Sequence, residues 1–313
     1  MMRCCVALAA ALFPGAARAA QDGPDALATE PAPAPPPLAP LAPPPAPSRG
    51  EPLLSPFNVR LVAEGGFVGF TSNFGQFGAD GTRIDFRKSA GQDNLLFYTR
   101  WSAELELGRR HTLVFLYQPL ASDGARTPSA DERYEGVTFA AGRPVRTEFG
   151  FPFYRLSYLY EVAQGPKGHL AFGFTGQIRN ADYRFTSLDG TAFARSSSVG
   201  FVPALKVRGE LALSRWAWVG FEVDGIYAPI SVLNGSDNET VGAIADASLR
   251  AGVRVLDRSD VFVNLRYLGG GATNEDPQNF AKNWLHSVFV GLGASLDLLP
   301  TPTRARRNSA PAE

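Results

Sequence analysis

The stretch VGFVPALKVRGELALSRWAWVGFEVDGIY, residues 199–227, decides how the chain is read. Val199, Phe201, Pro203, Leu205, Val207, Gly209, Leu211 and Leu213 take its odd positions, with Ser198, Gly200, Val202, Ala204, Lys206, Arg208, Glu210 and Ala212 on the even ones. After the break Ser214-Arg215-Trp216 the alternation resumes. Ala217, Val219, Phe221, Val223, Gly225 and Tyr227 share one side; Trp218, Gly220, Glu222 and Asp224 share the other. Successive side chains of a strand point to opposite faces, so this is a hairpin with one apolar and one charged face.

Each arm exceeds the ~5–6 residues usual for a globular strand and reaches the ~9–11 that cross a bilayer. Such strands predict an all-β fold, a transmembrane antiparallel up-and-down β-barrel with its apolar faces toward lipid. The same pattern recurs on both sides of the hairpin. Phe57, Val59, Leu61, Ala63 and Phe67 oppose Asn58, Arg60 and Glu64; Leu95, Phe97, Trp101, Ala103, Leu105 and Leu107 oppose Arg100, Ser102, Glu104 and Glu106. Leu170, Phe172, Phe174, Gly176 and Ile178 oppose Thr175, Gln177 and Arg179. Val241 to Val255 alternate with Asp246, Ser248, Arg250 and Arg254, and Val261, Val263, Leu265 and Tyr267 with Asn264 and Arg266. The last strand sets Trp284, Val288, Val290, Leu292, Ala294, Leu296 and Leu298 against Ser287, Ser295 and Asp297.

Between Val145 and Tyr160 the apolar residues change phase, from Val145, Thr147, Phe149 and Phe151 to Tyr154, Leu156, Tyr158 and Tyr160. A bulge near Pro152 that flips the face is expected there, and it would also accommodate the missing N–H. The count is about ten strands, with eight or twelve as the neighbouring alternatives. Connections alternate in length: short at Gly108, Gly165, Ser214 and Asp257, long and polar after Phe70, Leu120, Phe185, Ala228 and Gly271. A short extended piece is expected at Gly136 to Ala140 inside the second long connection.

The chain ends fit the same reading. Arg3, the apolar run Val6 to Phe13 and Ala17-Arg18-Ala19 have the form of a secretory signal peptide over residues 1–20. Its removal takes both cysteines, Cys4 and Cys5, leaving no thiol for a disulfide, a metal site or a nucleophile. Residues 21–56 are dominated by Pro and Ala and read as a semi-rigid periplasmic linker. The barrel is expected over 57–299 and a soluble tail over 300–313. Of 313 residues 45% are hydrophobic and 19% charged, with 30 basic against 30 acidic side chains. That neutral balance offers no footprint for nucleic acid. No window approaches the ~18 apolar residues of a helical span, while alternating strands keep mean hydropathy low, here −0.08.

From Phe57 to Leu299 the chain resembles small bacterial outer-membrane β-barrels of the OmpA-like kind. The resemblance is one of architecture: an even strand number, short turns at the periplasmic end, longer outer loops. It implies an outer-membrane location with both termini periplasmic, contact with outer-membrane lipid and lipopolysaccharide, and insertion by the barrel-assembly machinery. Such barrels commonly end in an aromatic residue, whereas this one ends Leu298-Leu299 and continues into a tail.

With apolar side chains toward lipid, the lumen receives Arg60, Glu64, Arg100, Glu104, Glu106, Arg155, Glu161, Arg179, Lys206, Arg208, Glu210, Glu222, Asp224, Asp246, Arg250, Arg254, Arg266 and Asp297. Buried charges are tolerated when paired, so a balanced set predicts a cross-strand ion-pair network that nearly closes a barrel of this size. A structural or surface-interaction role follows, with a narrow, porin-like channel for ions or small solutes as the alternative. A lipid-modifying hydrolase is the third reading and needs a serine–histidine pair. His286 and Ser287 are adjacent on a strand and therefore face opposite sides; His111 and His169 lie beside short turns. No catalytic residue, cofactor or metal ligand set is expected. Asp80, Asp189, Asp237, Glu239 and Asp276 match no calcium-loop spacing and are explained more simply by turns. Trp101, Trp216, Tyr227, Tyr267 and Trp284 suit interfacial girdles, while the alternation turns Trp218 inward. Ala243, Ala245 and Ala247 make a thin outer face that would allow close approach of a second copy.

Overall fold

Alternation of period two leaves no room for helix, and none occurs among the residues that the computed structural model describes, 57–229, 240–276 and 280–299. The leader, the Pro/Ala-rich segment, the tail, and the loop residues Asn234, Gly235, Asp237 and Glu239 lie outside the described residues. Among the described residues fifteen strands occur in chain order. They are β1 Phe57–Phe77, β2 Ile84–Asp85, β3 Leu95–Leu107, β4 His111–Gln118, β5 Ala121–Arg126, β6 Glu132–Tyr134, β7 Val137–Phe139 and β8 Val145–Gly150. Then come β9 Phe153–Gln164, β10 Gly168–Ser187, β11 Phe193–Ala212, β12 Ala217–Pro229, β13 Thr240–Leu256, β14 Ser259–Asn274 and β15 Ala281–Asp297.

Ten of them form the wall. Each pairs antiparallel with the next, in the ring β1, β3, β4, β9, β10, β11, β12, β13, β14, β15, and β15 returns to β1 from Arg60↔Asp297 to Phe77↔Ala281. Closure removes, around the short-turn half of the ring, the sheet edges that an open sheet would expose. Leu298 N–H donates to Val59 O at 2.9 Å, which brings both ends of the barrel segment to the end that carries the short turns.

The exterior is apolar to a degree that water would not support. On β10 and β11, Phe172, Phe174, Ile178, Phe201 and Leu205 stand exposed, and Leu95, Phe97, Leu156, Leu249, Leu265, Val290 and Leu292 continue the belt around the ring. Soluble monomers rarely expose apolar patches beyond a few hundred Å². A belt running round a closed barrel is the surface of a membrane-spanning one. Along β10 it extends from Leu170 to Ile178, and charge appears outside just beyond it. Asp182 pairs with Arg195 and Arg184 at 2.7 Å each, and Arg184 lies 3.8 Å from Glu148.

Three expectations are corrected by the structure. The face does not flip at Pro152: Val145, Thr147, Phe149, Phe151, Phe153, Arg155, Ser157 and Leu159 are all buried, so the odd residues point inward throughout. The strand does break there, with Pro152 between β8 and β9, but what changes is the chemistry of the interior. The second correction concerns the first loop. β1 runs 21 residues to Phe77, and the bulge sits at Thr71, where the register with β15 shifts between Phe70 and Ser72. It moves the inward set from Val68 and Phe70 to Asn73, Gly75 and Phe77. Third, the connection after Phe185 is short. β10 and β11 stay paired out to Thr186↔Phe193, so their polar upper halves are strands standing clear of the lipid belt.

The remaining long connections carry aromatic residues into the end of the barrel. Phe77, Phe86, Tyr134, Phe139, Phe149, Phe153, Tyr183 and Phe185 are each at most 4% exposed and form one cluster. Tyr134 lies flat on Phe185, with centroids 4.0 Å apart. It is delivered by the β6–β7 hairpin, whose two-residue turn, Glu135-Gly136, has positive φ at both positions (47° and 77°), a type I′ geometry that favours glycine. Thr82 N–H to Arg133 O and Glu135 N–H to Phe77 O stitch that hairpin to the end of β1.

A charge placed in the lipid belt discriminates this surface from a solvated one. Phe174→Arg should lower the unfolding free energy by about 2–4 kcal/mol in urea titrations of vesicle-inserted protein, whereas Asn180→Arg, at the belt's edge, should cost about 1 kcal/mol or less.

Candidate functional site

The interior below the aromatic cluster is ionic because the inward positions of seven strands carry charge at the same level. The register of β11 against β12 places Lys206 opposite Asp224 and Arg208 opposite Glu222. The side chains then reach further than their neighbours. Arg155 on β9 meets Asp224 on β12 at 3.0 Å and Asp246 on β13 at 2.8 Å. Lys206 bridges Asp224 at 2.9 Å and Glu222 at 2.8 Å. Glu222 accepts from Arg100 on β3 at 3.2 Å, and Arg100 also holds Glu64 at 2.9 Å. Glu64 takes a further bond from Arg250 at 3.0 Å and one from Asn264 at 2.8 Å. At the other end of the chain Arg266 grips Asp246 through Nε at 2.6 Å and Nη2 at 2.7 Å.

These contacts form one connected set of nine charges. In the ring of ten strands β3 and β12 stand five places apart, so the Arg100–Glu222 contact joins opposite walls. Arg266 on β14 likewise reaches Gln118 on β4 at 2.5 Å. Arg100, Arg155, Lys206, Asp224, Asp246 and Arg266 are each at most 3% exposed. In such a place an ion is stable only with its partners in contact. Neutral groups complete the lattice: Gln177 accepts from Arg155, and Thr175 donates to Asp224 at 2.6 Å. Arg266 also lies 4.9 Å over the Phe289 ring and Arg155 lies 5.5 Å over Phe153, which couples the ionic layer to the aromatic one above it.

Not all the lumen charges join this set. Arg60–Asp297 at 2.7 Å and Arg208–Glu104 at 3.0 Å are separate pairs nearer the short turns. Glu106 lies 3.5 Å from Asn58 Nδ2 there, and Glu161 and Glu210 line the same end with His111 and His169. Arg254 donates to the Arg215 carbonyl of a turn at 2.8 Å, a rim position and not a central one. Arg179 is the clear exception. Its guanidinium lies 4.8 Å over the Phe151 ring and, among the described residues, pairs with no carboxylate, because at its level the interior has become aromatic. Alternation alone does not assign that aromatic layer to the interior, although Phe149, Phe151, Tyr183 and Phe185 at inward spacing carry its signal.

The ionic layer separates two cavities. The one at the short-turn end measures about 70 Å³ and the one at the long-loop end about 660 Å³. Above the belt Arg126, Glu132 and Tyr134 are hydrogen-bonded together; burial, with the Glu132 carboxylate beside it, pushes the Tyr134 phenol up from its usual range. Asp80 pairs with Arg133 and Asp189 with Arg143, while Asp276 N–H bonds Asn274 Oδ1 at 3.1 Å. Among the described residues no three His, Cys, Asp or Glu side chains gather as a metal-binding group. His286 Nδ1 meets the Tyr267 hydroxyl at 2.6 Å on the outside of the wall; Ser287 Oγ, on the inside, donates to Leu268 O at 3.0 Å. Trp218 packs inward with Val62 and Phe262, and Ala243, Ala245 and Ala247 face outward, with Ala245 between Gly225 and Gly269.

A closed ten-stranded antiparallel barrel with an apolar belt is the architecture of a β-barrel membrane protein. No protein-family model matches the chain, and no curated protein matches it in sequence. Among solved structures it is similar to the outer membrane protease OmpT of Escherichia coli, at 9% identity over 80% of this chain and 99% of that one, with a TM-score of 0.44. The transport unit of the E. coli autotransporter AIDA-I gives 9% identity over 76% and 90%, TM-score 0.41. Ail, the attachment invasion locus protein of Yersinia pestis, gives 7% over 76% and 99%, TM-score 0.32. At these identities the likeness is one of fold.

Removing Asp246 leaves Arg155 and Arg266 facing each other without their shared carboxylate. Asp246→Ala should cost about 3–5 kcal/mol in vesicle unfolding titrations. Asp182→Ala, in the water-exposed cluster outside the wall, should cost far less.

Proposed function

We propose that the chain is an outer-membrane barrel whose short turns and both termini face the periplasm and whose long-loop end faces outward, with a structural or surface-interaction role and a lumen that does not conduct. The observation that carries this reading is the Arg100–Glu222 contact between opposite walls, set inside a connected lattice of paired charges. A conducting path needs a file of water past that lattice, and each cation there is already held by a carboxylate at 3.0 Å or less. The aromatic cluster stacked above it adds a second obstruction. On this reading lipid and lipopolysaccharide surround the apolar belt, and the barrel-assembly machinery inserts the chain.

Planar-bilayer recording tests it. Purified wild-type protein should give no steady single-channel steps, while Arg100→Ala combined with Glu222→Ala, which hollows the lattice, should admit ions. Large stable currents from the wild type would overturn the reading.

A further inference from the structure

The wall has a seam. The β11–β12 ladder runs from Ala212↔Trp218 to Leu205↔Gly225 and stops there, although both strands continue. β12 remains paired with β13 out to Pro229↔Val241, and β11 with β10 out to Phe193↔Thr186. Ala204 and Ile226, next in line, are not partners. Pro203 sits where the two strands part. Lacking an N–H, proline is suited to a free strand edge and unsuited to a two-sided ladder.

The 660 Å³ cavity reaches this seam. Its lining includes inward-facing Ser198 and Val202 but also Val199 and Phe201, from the opposite, lipid-facing side of β11. Val202 and Ile226 line it from the two sides of the parting, along the stretch where β11 and β12 are not paired. The volume falls within the ~300–1,000 Å³ of small-molecule sites. Toward the lumen the same cavity is lined by Arg179. Arg60, Arg100, Arg155, Lys206, Arg208, Arg250 and Arg266 each have a carboxylate within 3.0 Å. Among the described residues no carboxylate pairs with Arg179, whose guanidinium lies over the Phe151 ring, and a half-buried guanidinium without a counter-ion is costly unless something supplies one.

We propose that the seam between β11 and β12 is a side entrance from the lipid to a binding cavity for a single-chain amphiphilic anion. Its oxyanion head bonds the two-pronged donor face of Arg179, as guanidinium does with carboxylate and phosphate. Its hydrocarbon chain lies along Phe151, Val202 and Ile226 and leaves past Phe201. Neither part suffices alone: a free inorganic anion gains nothing from the apolar edge, and an uncharged chain leaves Arg179 unpaired. The inference concerns a ligand and its route, and it stands whether or not the lumen conducts.

The probe is radiolabelled hexadecanoate, equilibrated with wild-type barrel in phosphatidylcholine nanodiscs and corrected for empty discs. Saturable binding of one molecule per barrel is expected, with hexadecanol not retained above empty discs and inorganic phosphate not competing. Arg179→Gln should weaken binding at least tenfold, and Arg179→Lys should restore most of it. Ile226→Trp, which fills the seam, should slow uptake at least fivefold. If Arg179→Gln fails to run as a heat-modifiable folded barrel, Val202→Asp replaces it and should abolish binding. No saturable hexadecanoate binding, equal binding by the charge-removed variant, or displacement by inorganic phosphate would each overturn the proposal.

Discussion

Opposite walls of the barrel touch through a guanidinium and a carboxylate, Arg100 and Glu222, five strands apart in either direction around the ring. Everything inside depends on contacts of this kind. A strand that gives one face to lipid must give the other to the lumen, and in a ring of ten strands the lumen is narrow enough for long side chains to meet. Charges brought into that space lose their water, so they persist only where each finds a partner. Arg155, Lys206 and Glu64 each serve two partners, and the lattice is thereby continuous and not a set of independent pairs.

The interior is layered, and the layers follow what lies outside. At the level of the apolar belt the filling is ionic; beyond it, where Asp182, Arg184, Arg195 and Glu148 face water, the filling is aromatic. The inversion has a simple cause. A strand section standing in water needs an apolar core to hold it closed, as any soluble sheet does, whereas a section in lipid already has its apolar contacts outside. Arg155 and Arg266, with carboxylates on one side and the Phe153 and Phe289 rings on the other, sit on the boundary between the two regimes.

Much of this was legible in the chain. The alternation from Val199 to Tyr227 shows two faces, the turns at Gly108, Gly165, Ser214 and Asp257 give the topology, and inward charge marks the lumen. What alternation does not say is which face is inside once both carry apolar residues. Alternation therefore reads Phe149 and Phe151 as a change of face at Pro152, where it is the interior that changes. The polar start of β11, Phe193 to Ser198, reads as loop in the sequence because strands clear of the membrane lose the lipid pattern. Arg179 could not be separated from the other lumen cations, since its isolation depends on who stands across the barrel, and that is set by shear and closure.

The central claim is that the two walls meet through paired charge. A double-mutant cycle on Arg100 and Glu222, measured by reversible unfolding in vesicles, tests it most directly, because a coupling free energy exists only where the two side chains interact. The account predicts a coupling of about 1–3 kcal/mol; additive effects, within about 0.5 kcal/mol, would mean that the walls do not touch and that the lumen is open.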